Sequence, residues 1–127
     1  MKKTEIRTTN APLPVGPYSQ AVRSGDLLFV SGVLPIDPNT KAVSMETQEA
    51  VLKIFSNLDA ILKEAGISKD NIIKSTIFMK DLSGFTTLNE LYANYFQASK
   101  IKPARSTIQV AKLPLDVPVE MEFIATF

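Results

Sequence analysis

Residues 47–66 read TQEAVLKIFSNLDAILKEAG, and the apolar positions Val51, Ile54, Phe55, Leu58, Ile61, Leu62 and Ala65 recur three and four apart, the interval of one helix face. Gly66 stands where the chain leaves such a helix, a place where glycine takes left-handed backbone angles without a Cβ penalty. The spacing predicts a helix over Thr47–Ala65. On both sides of it the pattern changes to that of strands. Upstream, Gln20 to Arg23 and Leu27 to Ser31 flank Ser24-Gly25-Asp26, which reads as a hairpin with glycine in its turn. Downstream, Ile72 to Met79 is a strand bounded by Ser68-Lys69-Asp70-Asn71 and by Lys80-Asp81.

Working further outward, Pro35 to Thr40 is a loop, and Ala11 to Pro17, with its prolines and Gly16, is an irregular connection with fixed backbone angles. A second helix begins near Ser83 and places Phe85, Leu88, Tyr92, Tyr95 and Phe96 on one face. Strands at Ser106 to Ala111 and Val117 to Phe127 close the chain. A long helix between strands implies a crossover packed on one sheet face. The expected architecture is α+β: a mixed sheet with two helices on one face, forming a single domain over residues 1–127.

Composition removes whole classes of chemistry. The chain has no cysteine and no histidine, hence no thiolate nucleophile, disulfide, zinc–thiolate cluster or imidazole base. Carboxylates, arginine, lysine, hydroxyls and backbone amides remain, and neither a metal nor another cofactor is expected. A net charge of +1 with scattered lysines gives no basic stripe to neutralise a run of phosphates, so nucleic acid is a disfavoured partner. No stretch approaches the ~20 apolar residues that span a bilayer, and no apolar segment follows Met1-Lys2-Lys3-Thr4-Glu5. A cytoplasmic protein without a membrane partner is the expectation.

In the final strand Val117, Val119, Met121, Phe123, Ala125 and Phe127 alternate with Glu120, Glu122 and Thr126, an apolar face backed by a polar one. In the preceding strand Ile108 and Val110 match the apolar face, which leaves Arg105, Thr107 and Gln109 on the polar side. Taken as an antiparallel hairpin, the two strands set Thr107 across from Glu120 and Arg105 across from Glu122, with Arg105 diagonal to Glu120. A guanidinium, a hydroxyl and a carboxylate then share one patch. An exposed sheet face carrying a surface Arg–Glu pair, contributing ~0–1 kcal/mol, accounts for the same pattern without any function.

The run Pro103-Ala104-Arg105-Ser106-Thr107, with Val110-Ala111-Lys112-Leu113-Pro114 and Val119-Glu120-Met121-Glu122, resembles the C-terminal signature of the Rid (YjgF) family. Ala11-Pro12, Gly16-Pro17-Tyr18-Ser19-Gln20-Ala21 and Ser31-Gly32 are similar to the same family's opening motif, and Asn89 with Tyr92 and Phe96 fits its second helix. The resemblance spans nearly the whole chain. It implies a chorismate-mutase-like α+β fold and a homotrimer whose packed sheet faces enclose an inner β-barrel, with sites at the interfaces. It also implies a deaminase that hydrolyses 2-imino or 2-enamino acids, such as 2-iminobutanoate, 2-iminopropanoate and 2-aminoacrylate, to 2-oxo acids and ammonia. Carried over position by position, Arg105 holds the substrate carboxylate and Glu120 activates water. Tyr18, Ser31, Gly32, Asn89 and Thr107 lie around the pocket. The chain departs from the pattern at Thr107, where many members carry cysteine, and the change is expected to be tolerated as part of the pocket lining.

The residue types suit the implied chemistry. A planar guanidinium grips a carboxylate by two parallel hydrogen bonds, which fixes its orientation in a way an ammonium cannot. A single carboxylate can take a proton from water and return it to the departing nitrogen. The same pocket equally describes a non-catalytic trimeric binder of 2-oxo acids or similar small carboxylates with a regulatory role, since both readings need Arg105.

Overall fold

The computed structural model describes residues 2–127. The elements are β1 (Lys3–Ile6), β2 (Ala21–Ser24), β3 (Leu27–Val33), α1 (Thr47–Glu64), β4 (Ile72–Met79), α2 (Phe85–Tyr95), β5 (Ala104–Gln109) and β6 (Val119–Thr126). Glu46 opens α1 by accepting hydrogen bonds from the amides of Gln48 and Glu49, which satisfies two donors that have no partner within the helix. Gly66, at φ 79°, ends it as the spacing predicted. Gly25, at φ 61°, turns β2 into β3, again as expected. A single 3-10 turn at Leu82–Gly84, capped by Asp81, leads into α2.

The sheet has six strands in the order β1-β2-β3-β6-β4-β5. Strand β6 runs antiparallel to both of its neighbours, β3 and β4, while β5 lies parallel to β4. Each helix is therefore a crossover between parallel strands, α1 from β3 to β4 and α2 from β4 to β5. Both pack on one face, where Val51, Ile54, Leu58 and Leu62 of α1 and Leu88 of α2 meet Leu28, Ile77, Met121 and Phe123. Among the described residues no helix is long and apolar enough to cross a membrane.

Two expectations are corrected. The N-terminal strand β1, paired with β2, was not anticipated, because Lys3-Thr4-Glu5-Ile6 offers only one apolar residue to a periodicity. More consequential is that β5 and β6 do not form a hairpin, since β4 lies between them. The alternate residues Val119, Met121, Phe123 and Ala125 are all at most 2% exposed, a burial that an edge strand does not provide and a central one does. The register then reverses the faces. Ile77 of β4 stands beside both Thr107 and Met121, whereas Phe78 stands beside both Ile108 and Glu120. Arg105 and Thr107 therefore face the helices, while Ile108 shares the open face with Glu120 and Glu122.

Candidate active site

The expected residues fall into two groups. The first gathers around Glu120, which lies on the open sheet face in the middle of the sheet. Beside it the β3–β6 register shifts between Val30 and Val33, and this irregularity lets Ser31 and Gly32 depart from plain alternation. The Glu120 carboxylate fills the space next to Gly32 where a side chain would start. A Cβ built on Gly32 would stand 2.3 Å from Glu120 Oε2. The hydroxyl of Ser31 donates to the Ser19 carbonyl at 2.6 Å, and its amide donates to the Gln20 carbonyl at 3.0 Å, tying β3 to the segment that bears Tyr18. Buried Gln20 accepts from the Thr8 amide at 2.8 Å and donates to the carbonyls of Thr8 and Pro12 at 3.0 and 2.8 Å. The proline-rich connection is thus fixed by one amide side chain, and it leaves Tyr18 50% exposed at its end. Burial, followed by the neighbouring negative charge of Glu122, raises the pKa of Glu120 above the ordinary glutamate value. Arg105 is not among the causes.

The second group surrounds Arg105. Its Nη1 donates to Asn89 Oδ1 at 2.8 Å, and its guanidinium carbon lies 4.8 Å from the ring centre of Tyr92 and 5.5 Å from that of Phe85. Phe85, Asn89 and Tyr92 are four and three residues apart on α2, the spacing that presents them together to one side. Tyr92 is fixed in turn by a buried bond from its hydroxyl to Ser75 Oγ at 2.9 Å. Cationic charge over aromatic faces is favourable and leaves the in-plane donors free. Among the described residues the only ion pairs join Lys53 to Asp37 and Lys80 to Asp116. Arg105 is therefore oriented by an amide and two rings without a carboxylate opposite its fork. Two residues along β5, the Thr107 hydroxyl is buried with no hydrogen-bond partner.

The two groups do not meet within one chain. Arg105 and Glu120 project from opposite faces with β4 between their strands, and their backbones are separated by roughly 14 Å at the usual strand spacing and rise. The structure thus brings Tyr18, Ser31, Gly32 and Glu120 together at one place, and Asn89, Arg105 and Thr107 at another. Sequence reasoning did not assign the rings behind Arg105 to the site. The helical spacing of Phe85, Asn89 and Tyr92 was the available signal. No cluster of three or more carboxylates that could hold a metal exists among the described residues.

Comparison with known proteins adds an independent line. The model of the endoribonuclease L-PSP family matches residues 8–127. A RutC family protein of Aquifex aeolicus is 49% identical over 121 residues, covering 95% of this chain and 97% of its own. The 2-iminobutanoate/2-iminopropanoate deaminase of Salmonella typhimurium is 42% identical over 126 residues, covering 98% of each chain. The crystal structure of the Rid-family protein YyfA from Yersinia pestis superposes with a TM-score of 0.96 at 40% identity, covering 99% of this chain and 100% of that one.

Proposed function

Since this chain belongs to the Rid (YjgF) family, we propose that it hydrolyses 2-imino acids to 2-oxo acids and ammonia, at a site completed where copies of the chain meet. The observation that carries this reading is the state of Arg105, oriented by Asn89, Tyr92 and Phe85 and lacking a carboxylate partner. Such a guanidinium is a receptor for a carboxylate brought from outside. In the proposed reaction it holds the carboxylate of the imino acid and aims C2 at a water next to Glu120 of a neighbouring copy. Glu120 takes a proton from that water as its oxygen bonds to C2, and the C=N π electrons move to nitrogen. The proton then passes to nitrogen, giving a 2-amino-2-hydroxy acid. Glu120 next takes the hydroxyl proton and delivers it to nitrogen as the oxygen forms C=O and the C–N bond breaks, so that ammonia leaves a 2-oxo acid. A carboxyl with a raised pKa is the better suited to this exchange, because it stands closer to neutrality as both base and acid. The family's endoribonuclease description finds less support, since the net charge is only +1 and histidine is absent.

A homotrimer follows as an expectation from the open sheet face. Leu27, Phe29 and Ile108 are 37, 45 and 45% exposed there, beside Glu120 and Glu122, and both helices lie on the other side. Packing these faces together would cover the apolar groups, and Arg105, which faces the helices from the edge strand β5, would meet Glu120 of the next copy around that edge. Light scattering at micromolar protein should give a mass of three 14.0 kDa chains, and a monomer would contradict the arrangement.

Two further results are expected. Turnover should be unchanged in excess chelator, because the chain has no histidine or cysteine ligand and the water is activated by a carboxylate. Loss of activity on chelation, restored by a divalent ion, would refute this. Gly32→Ala should lower kcat about a hundredfold while the circular dichroism spectrum stays unchanged, because the new methyl would stand 2.3 Å from Glu120 Oε2 and push the carboxylate aside, and a displacement of about 1 Å is enough for such a loss. Wild-type kcat in this variant would show that the seat of Glu120 is immaterial.

A further inference from the structure

An apolar cavity of about 330 Å³ opens beside the Glu120 group. Its walls include Leu13 from the proline-rich connection, Leu34 and Ile36 beyond β3, Ile61 from α1, and Leu115. Gly32, the residue against which the Glu120 carboxylate lies, belongs to the same wall. The volume is at the small end of metabolite pockets, which run from ~300 to ~1,000 Å³. Leu115 and the following Asp116 both hold left-handed backbone angles, φ 56° and 58°, a conformation that residues other than glycine seldom take. Asp116 also pairs with Lys80 at 3.0 Å, and its amide donates to the Leu113 carbonyl at 3.1 Å. The strained segment forms the rim of the cavity and leaves Leu115 61% exposed.

We propose that this chamber receives the side chain of the substrate, so that the chain prefers 2-imino acids with branched or long apolar side chains over those bearing one or two carbons. The inference rests on the deaminase reading and deepens it. A 2-imino acid has two substituents at C2 besides nitrogen, the carboxylate and the side chain. With the carboxylate on Arg105 and the water beside Glu120, the side chain is the group left to enter an apolar space that begins at Gly32. The lining offers a polar substituent little in return for its hydration, whereas each buried methylene improves binding roughly fourfold.

The test generates imines in situ from leucine and from alanine with an L-amino-acid oxidase and measures the fraction that survives to be trapped by semicarbazide. The leucine-derived imine, three carbons larger, should show a kcat/KM about ten- to fiftyfold above that of the alanine-derived one. Equal values, or the reverse order, overturn the chamber while leaving the deaminase reading intact. Ile36→Phe should narrow the chamber and move the ratio at least fivefold toward the small imine, and Leu13→Phe, placed on a surface connection, does the same should the first variant fail to fold. An unmoved ratio in a folded variant also overturns it. Should neither imine be hydrolysed faster than in buffer, the deaminase reading fails instead, and calorimetry decides the chamber separately. In that case 4-methyl-2-oxopentanoate binding at least tenfold more tightly than pyruvate supports it, and equal affinities refute it.

Discussion

Arg105→Lys lowers kcat/KM for imine hydrolysis by ten- to a hundredfold, and Arg105→Ala by more, with the oligomer unchanged in both. Lysine keeps the positive charge but cannot reproduce the fork, so one charge-assisted bond, ~1.5–3 kcal/mol, is lost from the grip on the substrate. It also forgoes the planar stacking over Tyr92 and the directed bond to Asn89, so the remaining ammonium is less well aimed. Were Arg105 only surface decoration, the same change would be nearly silent, because exposed pairs contribute ~0–1 kcal/mol. The stability cost of the alanine variant should stay near ~1 kcal/mol, since cation–π contacts at sites open to water are worth about that much. The measurement is ammonia release from an imine supplied by a threonine dehydratase, compared across the three proteins alongside their melting temperatures. Indistinguishable rates would remove the anchor of the proposed function.

The helices and β4 were legible because their signals are local. The interval from Val51 to Leu62 needs no knowledge of the rest of the chain, and Gly66 marks the helix end by a backbone angle that only its own neighbours impose. Ile72–Met79 is bounded on both sides by polar turn residues, so its limits were readable too. Strand pairing is a different problem. Nothing in the segment between Gln109 and Val119 states that the chain must step across the end of β4 before re-entering the sheet. Apolar content near the end of β5 was also misleading. Ile108 reads as a core residue, yet it lies on the open face and is 45% exposed, an apolar group whose cover is expected from another copy.

This pairing error explains why the expected geometry of the site was wrong. Placing Thr107 opposite Glu120 assembled guanidinium, hydroxyl and carboxylate within one chain, and the actual register puts Ile77 beside Thr107 and Phe78 beside Glu120. Alternation along a strand fixes which residues share a face, but which face of the sheet that becomes depends on the neighbouring strand. The family resemblance implied sites at subunit interfaces but did not separate the two residues, and it is the strand order, with β4 between β5 and β6, that puts Arg105 and Glu120 on different faces. The aromatic backing of Arg105 shows the opposite case, a local helical spacing sufficient to have found it.

Glu120→Gln should abolish hydrolysis, by about a hundred- to ten-thousandfold in kcat, while 2-oxo acids bind with unchanged affinity. The amide fills the same space beside Gly32 and cannot accept the proton of water, so the loss is of acid–base work alone. A purely regulatory binder would show no turnover in the wild type either, and this pair of measurements therefore separates the two readings of the pocket. Protonation gives a second signature. Burial and Glu122 raise the Glu120 pKa above its ordinary value, so on lowering the pH the folded chain binds this proton before the unfolded chain does. Stability from this group is then fully present below the unfolded value and is lost as pH rises through the folded one. Glutamine carries no such dependence, so the variant's melting temperature should gain on the wild type between acid and neutral pH. The acid limb of the wild-type rate profile should lie above the ordinary glutamate range, because only the ionised carboxylate takes the proton. An acid limb at the ordinary position, together with parallel melting curves, would show that Glu120 is solvated in the assembled protein and would transfer the role of base to another group.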